Sequence, residues 1–100
     1  MSREWFLPHL HSKFEMHAEN LSSTPMELIQ VSAAMPTTDK DHHISYTSFS
    51  LLFRGPFGMT QESGMYSLDH DKLGKLDLFL SPVGKLKDQV LYEAVFSQRV

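Results

Sequence analysis

The clearest pattern in the chain is alternation. A β-strand points successive side chains to opposite faces, so a strand buried on one side reads with period two. From Ser48 to Arg54, Phe49, Leu51 and Phe53 share one face and Ser48, Ser50 and Arg54 the other, with Leu52 the large apolar intruder. This predicts a core strand that begins near Ile44 and ends at Gly55-Pro56, since proline brings no amide to a ladder and restricts the residue before it. Tyr66, Leu68 and His70 alternate with Met65, Ser67 and Asp69, and after Asp71-Lys72-Leu73-Gly74 the pattern resumes as Leu76, Leu78 and Leu80 against Lys75, Asp77, Phe79 and Ser81. Two such runs predict a hairpin whose turn is closed by Gly74 at positive φ, a conformation glycine adopts without steric cost. Pro82 and Gly84 are expected to stop its second arm.

The remaining segments read less regularly. In Val90 to Phe96, Tyr92, Ala94 and Phe96 face one way and Leu91, Glu93 and Val95 the other, and partly apolar faces on both sides predict a central position. Between Met26 and Ala33 the apolar set changes phase, from Met26 and Leu28 to Ile29, Val31 and Ala33, which predicts a β-bulge near Leu28 and Ile29. Phe14, Met16 and Ala18, alternating with Lys13, Glu15 and His17, form a weaker first strand. Ahead of it, Pro8 to Ser12 suits one helical turn, with Pro8 at the tolerated first position. Asn20 to Pro25 and Pro36 to His43 read as surface loops. There is no repeat, no low-complexity tract and no long amphipathic helix. The expected fold is all-β: a small antiparallel sandwich or partly open barrel of five or six strands, with at most a short N-terminal helical turn.

Size and charge narrow the picture. A chain of 100 residues and 11.5 kDa holds one core, so a single domain over residues 1–100 is expected. With 41% hydrophobic and 21% charged residues the chain is expected to fold, and a net charge of -3 gives no pull towards nucleic acid. There is no cysteine, so neither a disulfide framework nor a zinc-thiolate site enters. The N-terminal residues lack the apolar run of a signal peptide, and nothing approaches the roughly 20 apolar residues of a membrane span. A soluble, cytoplasmic protein without a membrane partner is expected.

Candidate chemistry is sparse. Six histidines invite a metal reading of His9-Leu10-His11 or of Asp39-Lys40-Asp41-His42-His43, yet neither matches a ligand spacing, and a solvated loop accounts for the second. Leu68-Asp69-His70-Asp71 brings carboxylates beside an imidazole, but alternation puts Asp69 and His70 on opposite faces, so a turn-flanking histidine is the simpler reading. No serine sits in a Gly-x-Ser-x-Gly elbow. Gly55 to Gly64 lacks a phosphate-loop lysine. No catalytic residue, metal ligand or cofactor is therefore assigned. The most distinctive stretch is Phe53 to Met59, in which Arg54, Phe57 and Met59 form a candidate interaction surface; the plainer alternative is a wide connection whose apolar residues fold back onto the core.

The runs FSLLFRGP at Phe49 to Pro56, GMYSLDHDKLGKLDLFLSPVG at Gly64 to Gly84 and LYEAVF at Leu91 to Phe96 resemble a small uncharacterised bacterial all-β domain family with the pattern FSLxFxGP…GxYxLxHxxLGxLxLFLxPVG…YEAVF. The resemblance covers about half of the chain and implies a stand-alone protein of about this length, in some members associated with phage-tail-like or collar-type proteins. It transfers no catalytic residue. The expected function is a non-enzymatic interaction or assembly module, acting by self-association or with a protein partner. The alternatives are a small-molecule-binding barrel using Tyr66, His70 and Tyr92, and a metal-assisted hydrolase using the Asp39 to His43 cluster.

Overall fold

The computed structural model describes residues 2–17, 23–56 and 62–99. It contains one short helix, α1 (Arg3–Phe6), a 3₁₀ turn (Leu7–His9) and seven strands: β1 (Lys13–His17), β2 (Ser23–Val31), β3 (Met35–Asp39), β4 (Ile44–Pro56), β5 (Gly64–His70), β6 (Gly74–Leu86) and β7 (Gln89–Arg99). All pairings are antiparallel, in the order β2-β1-β5-β6-β7-β4-β3, and a further pairing of β2 with β4 brings the sheet round on itself. The fold is all-β, as expected, with one strand more than the sequence suggests.

Two strands make the curl by changing partner halfway. The first half of β2, Ser23 to Glu27, lies against β1, whereas Glu27 to Val31 lies against Arg54 to Leu51 of β4. Likewise β6 pairs with β5 over Gly74 to Leu80 and with β7 from Ser81 to Leu86. Each change coincides with a bulge: Ile29 is the extra residue in β2 and Val83 the extra residue in β6. Bulges bend a strand and sharpen its twist, which lets one strand serve both walls of a curled sheet. The phase change from Met26 and Leu28 to Val31 is thus the bulge read from the sequence. Pro82 and Gly84 do not stop β6, because they flank its bulge and the strand simply continues with a new partner.

The inner face carries the core. Phe14, Met16, Met26, Leu28, Phe49, Leu51, Phe53, Leu68, Leu76, Leu78, Leu80, Val90, Tyr92 and Ala94 are buried, and all alternate with outward residues along their strands. The ring of Phe14 meets Phe53 edge-on at 5.3 Å, and Phe49 stacks on Phe96 at 4.9 Å. Strand β7 lies between β6 and β4, the central position predicted for it.

The N-terminal segment closes one end. Ser2 caps α1 by accepting a hydrogen bond from the Trp5 amide, and Phe6, with no exposed surface, enters between Phe49 (6.3 Å) and Phe96 (5.5 Å). Arg3 donates from Nε to the Ser32 carbonyl at 2.6 Å. The helical residues fall at positions 3–9, not at Pro8 to Ser12. The reason is local: the Ser2 cap starts the helix early, while the His11 amide is already donating to Leu28 of β2 at 2.7 Å.

The expected loop Pro36 to His43 is also corrected. Met35 to Asp39 form β3 against Ser48 to Ile44 of β4, on the same edge that β2 uses further along, and only Lys40 to His43 make the turn. Pro36 is tolerated because β3 has one neighbour among the described residues, and proline is admitted on edge strands. Similarly Ser23 to Pro25, read as loop, open β2, while Ala18 and Asn20 to Ser22 lie outside the described residues. No described helix is long and apolar enough to cross a membrane.

Two stability outcomes follow from this packing. Phe53 is fully buried, so Phe53→Ala should cost about 3 to 5 kcal/mol through lost transfer energy and a residual cavity. Gly74 has φ of 77° with open space where a side chain would project, so Gly74→Val suffers from backbone strain and not from collision, at roughly 1 to 2 kcal/mol. Urea denaturation midpoints of both variants measure these costs directly.

Candidate functional site

Where β2 leaves β4, the sheet opens. Beyond the Glu27–Arg54 pair, Ser23 to Met26 remain joined to β1 and Gly55 and Pro56 to β7, but the described residues show no ladder between the two edges. The divergence forms a groove of about 410 Å³. Pro25, Met26 and Pro56 supply apolar wall, and His11, Lys13, Glu27, Arg54 and Gln89 supply polar groups.

A three-member chain organises it. Arg54 donates from Nη2 to Glu27 Oε1, and His11 donates from Nδ1 to Oε2 of the same carboxylate at 3.2 Å. Both glutamate oxygens are therefore engaged. The hydrogen bond from Arg54, then that from His11, holds the Glu27 carboxyl below its ordinary range, against the opposing effect of burial. A carboxylate so stabilised is a poor proton acceptor at neutral pH. Lys13 reaches Glu15 at 3.1 Å along its own strand. The groove offers directed hydrogen-bond donors and a carboxylate held by two of them.

Arg54, named from the sequence, is thus a strand residue held by Glu27 with about a third of its side chain exposed (35%). Phe57 and Met59 lie outside the described residues. Glu27 and His11 were not legible as site residues, because their meeting with Arg54 depends on the bulged β2–β4 register; the signal available was the phase change at Ile29.

The other candidates disperse. His9 and His11 face different partners, His9 meeting the ring of His70 at 4.6 Å and His11 meeting Glu27. Asp39 ends β3 and His42 and His43 occupy the following turn; among the described residues no group of three His, Asp or Glu side chains is placed to hold a metal ion. Asp69 pairs with His17 on the outer face whereas His70 is buried, which is the opposition that alternation predicts. Tyr92 is fully buried, and that burial raises its phenol above the ordinary value; Tyr66 donates its hydroxyl to the Glu62 carbonyl at 2.7 Å. None of Tyr66, His70 and Tyr92 lines the groove.

In comparison with known proteins, the profile of a domain of unknown function, DUF6916, matches residues 1–96. No curated protein and no solved structure matches.

The Arg54–Glu27 pair is partly solvated, so a double-mutant cycle of Arg54→Ala and Glu27→Ala should give a coupling of about 0.2 to 1 kcal/mol. Repeating the urea titrations at about 1 M salt, where the screening length is about 3 Å, should shrink it further. An undiminished coupling would show the pair to be shielded from solvent.

Proposed function

The chain belongs to the DUF6916 family, and from that premise we propose that it is a non-enzymatic interaction or assembly module whose β2–β4 seam receives an extended segment of a protein partner. The observation that carries this reading is the groove itself, bounded by two strand edges that have no ladder between them among the described residues and carrying Arg54 at its head. Strand edges present unpaired amides and carbonyls, and adding a strand to such an edge is a recurrent mode of peptide recognition, with backbone bonds supplying affinity and neighbouring side chains specificity. Arginine is well suited to anchor such a contact, since its planar fork presents several donors and Glu27 occupies one of its nitrogens. The resemblance to domains associated with phage-tail-like or collar-type proteins supports the assembly form of this reading, in a bacterial host.

A second reading rests on volume. About 410 Å³ falls in the range of small-ligand pockets, so the same groove suits a small molecule with an acidic group. The two readings share Arg54 and differ in the size of what binds.

Light scattering on the purified chain, together with capture from lysate of its native host on immobilised protein, tests the proposal. We expect either a defined oligomer or a retained protein, weakened about tenfold or more by Arg54→Glu, as for an arginine anchor at an interface. Phe57→Ser and Met59→Ser probe the adjoining connection. A strict monomer that retains nothing, with all three variants behaving like wild type, would sink the module reading.

A further inference from the structure

His70 is buried at the edge of the core, and both of its ring nitrogens have partners. The backbone N–H groups of Lys72 and Leu73 both donate to Nδ1, at 3.0 and 3.2 Å. An N–H donor pair leaves Nδ1 as an acceptor without a proton, so the proton resides on Nε2. Nε2 donates to Ser12 Oγ at 2.9 Å, and Ser12 in turn donates its hydroxyl to the His9 carbonyl. The ring is also flanked by two others: Phe14 at 4.5 Å and His9 at 4.6 Å. One neutral imidazole therefore ties the β5–β6 turn to the 3₁₀ turn that follows the Phe6 plug.

We propose that His70 is a proton-operated latch, whose protonation unseats the Leu7–His9 turn and with it the α1 plug from this end of the barrel. A proton on Nδ1 meets two backbone N–H groups head-on and converts two hydrogen bonds into two repulsive contacts, which drive the ring out of the β5–β6 turn and carry with it the Ser12 hydroxyl that Nε2–H still holds. It also places a charge in an apolar setting, where desolvation is costly. The surroundings add little relief. From the 3₁₀ turn His9 faces the ring, and from its own turn Asp71 favours the charged form while Lys72 opposes it. Strand β1 presents Phe14, with Lys13 and Glu15 alternating to the outer face, and β6 presents Gly74 and the buried Leu76. Burial first, and His9 second, hold the imidazole below its ordinary value of 6.5.

The sign of the linkage is set by that direction. The folded chain binds this proton more weakly than the unfolded chain, so the latch contributes its full stability above about pH 6.5 and loses it as pH falls through the lower value of the folded state. The strand ladders are made by backbone groups without this ring, so release of the plug is expected before global unfolding.

The chain carries one tryptophan, Trp5, and it lies in the plug against Phe6 at 5.0 Å. Its emission between about pH 7.5 and pH 4.5, roughly the range over which histidines titrate, reports the plug. We expect a red shift with a single midpoint below 6.5, accompanied over the same transition by movement of the Lys72 and Leu73 amide proton resonances in NMR. His70→Asn keeps an acceptor near Nδ1 without a titrating proton, and should abolish the Trp5 transition. Should that variant fail to fold, the ring nitrogen shifts of wild-type His70 decide the matter alone, as they report the Nε2–H tautomer and its loss directly. A Trp5 signal that is flat across the range, that persists in His70→Asn, or an Nδ1–H tautomer at neutral pH would overturn the proposal.

Discussion

The structure depends on one constraint: a single apolar interior must be enclosed by one sheet that curls round on itself. A small domain without disulfides gains its stability from burial alone, and an open seven-stranded sheet would leave half of each strand's apolar face wet. Here β2 and β6 each turn a corner at a bulge, so that two walls share the same strands and the inner residues of both meet in one core. The extra residues Ile29 and Val83 keep the alternation in phase after the corner. Without them, every side chain beyond the bend would exchange inside for outside.

Corners have a consequence for pairing. A strand that takes up a second partner only partway along leaves its earlier half unpaired on that side among the described residues, and on β2 this opens the seam ahead of Glu27 and Arg54. The groove is therefore the geometric remainder of the curl, and not a separate addition. The Arg54–Glu27–His11 chain sits where the ladder stops, replacing backbone bonds with side-chain ones at the point of divergence. At the other vulnerable place, the barrel end near β4 and β7, the gap is filled by a ring instead: Phe6 enters between Phe49 and Phe96.

Period-two patterning made most of the walls legible. The runs Phe49-Leu51-Phe53, Leu76-Leu78-Leu80 and Tyr92-Ala94 each point to the core as the alternation requires, and the phase slip at Ile29 located a bulge. Gly74 was legible because few residues tolerate its backbone angle. What escaped depends on partners distant in the chain. Strand β3 is a strand because β4 extends past the ring to receive it, and its own composition of Pro, Thr and Asp carries no periodic apolar signal. The meeting of Arg54 with Glu27 and His11 needs the register of a bulged pair. The role of His70 needs the N-terminal turn folded back across the barrel, which no local pattern encodes.

The two places singled out by the geometry are joined by neighbouring residues. His11, at φ of 71°, donates into the groove, while Ser12 accepts from His70. The left-handed turn at His11 sends successive side chains to the two sites, and its amide, with that of Leu28, stitches the pair to β2. A change that displaces Ser12 thus acts one peptide unit away from the partner of the Glu27 carboxylate. Coupling between sites is reciprocal, so a segment bound at the seam that repositions His11 must bias the latch by the same free energy with which the latch biases binding. Short, stiff links transmit such displacements better than long ones, because close-packed protein interiors shift between arrangements and do not deform continuously. On this reasoning the N-terminal residues serve the fold twice, closing the barrel with Phe6 and connecting its buried proton site to its open seam.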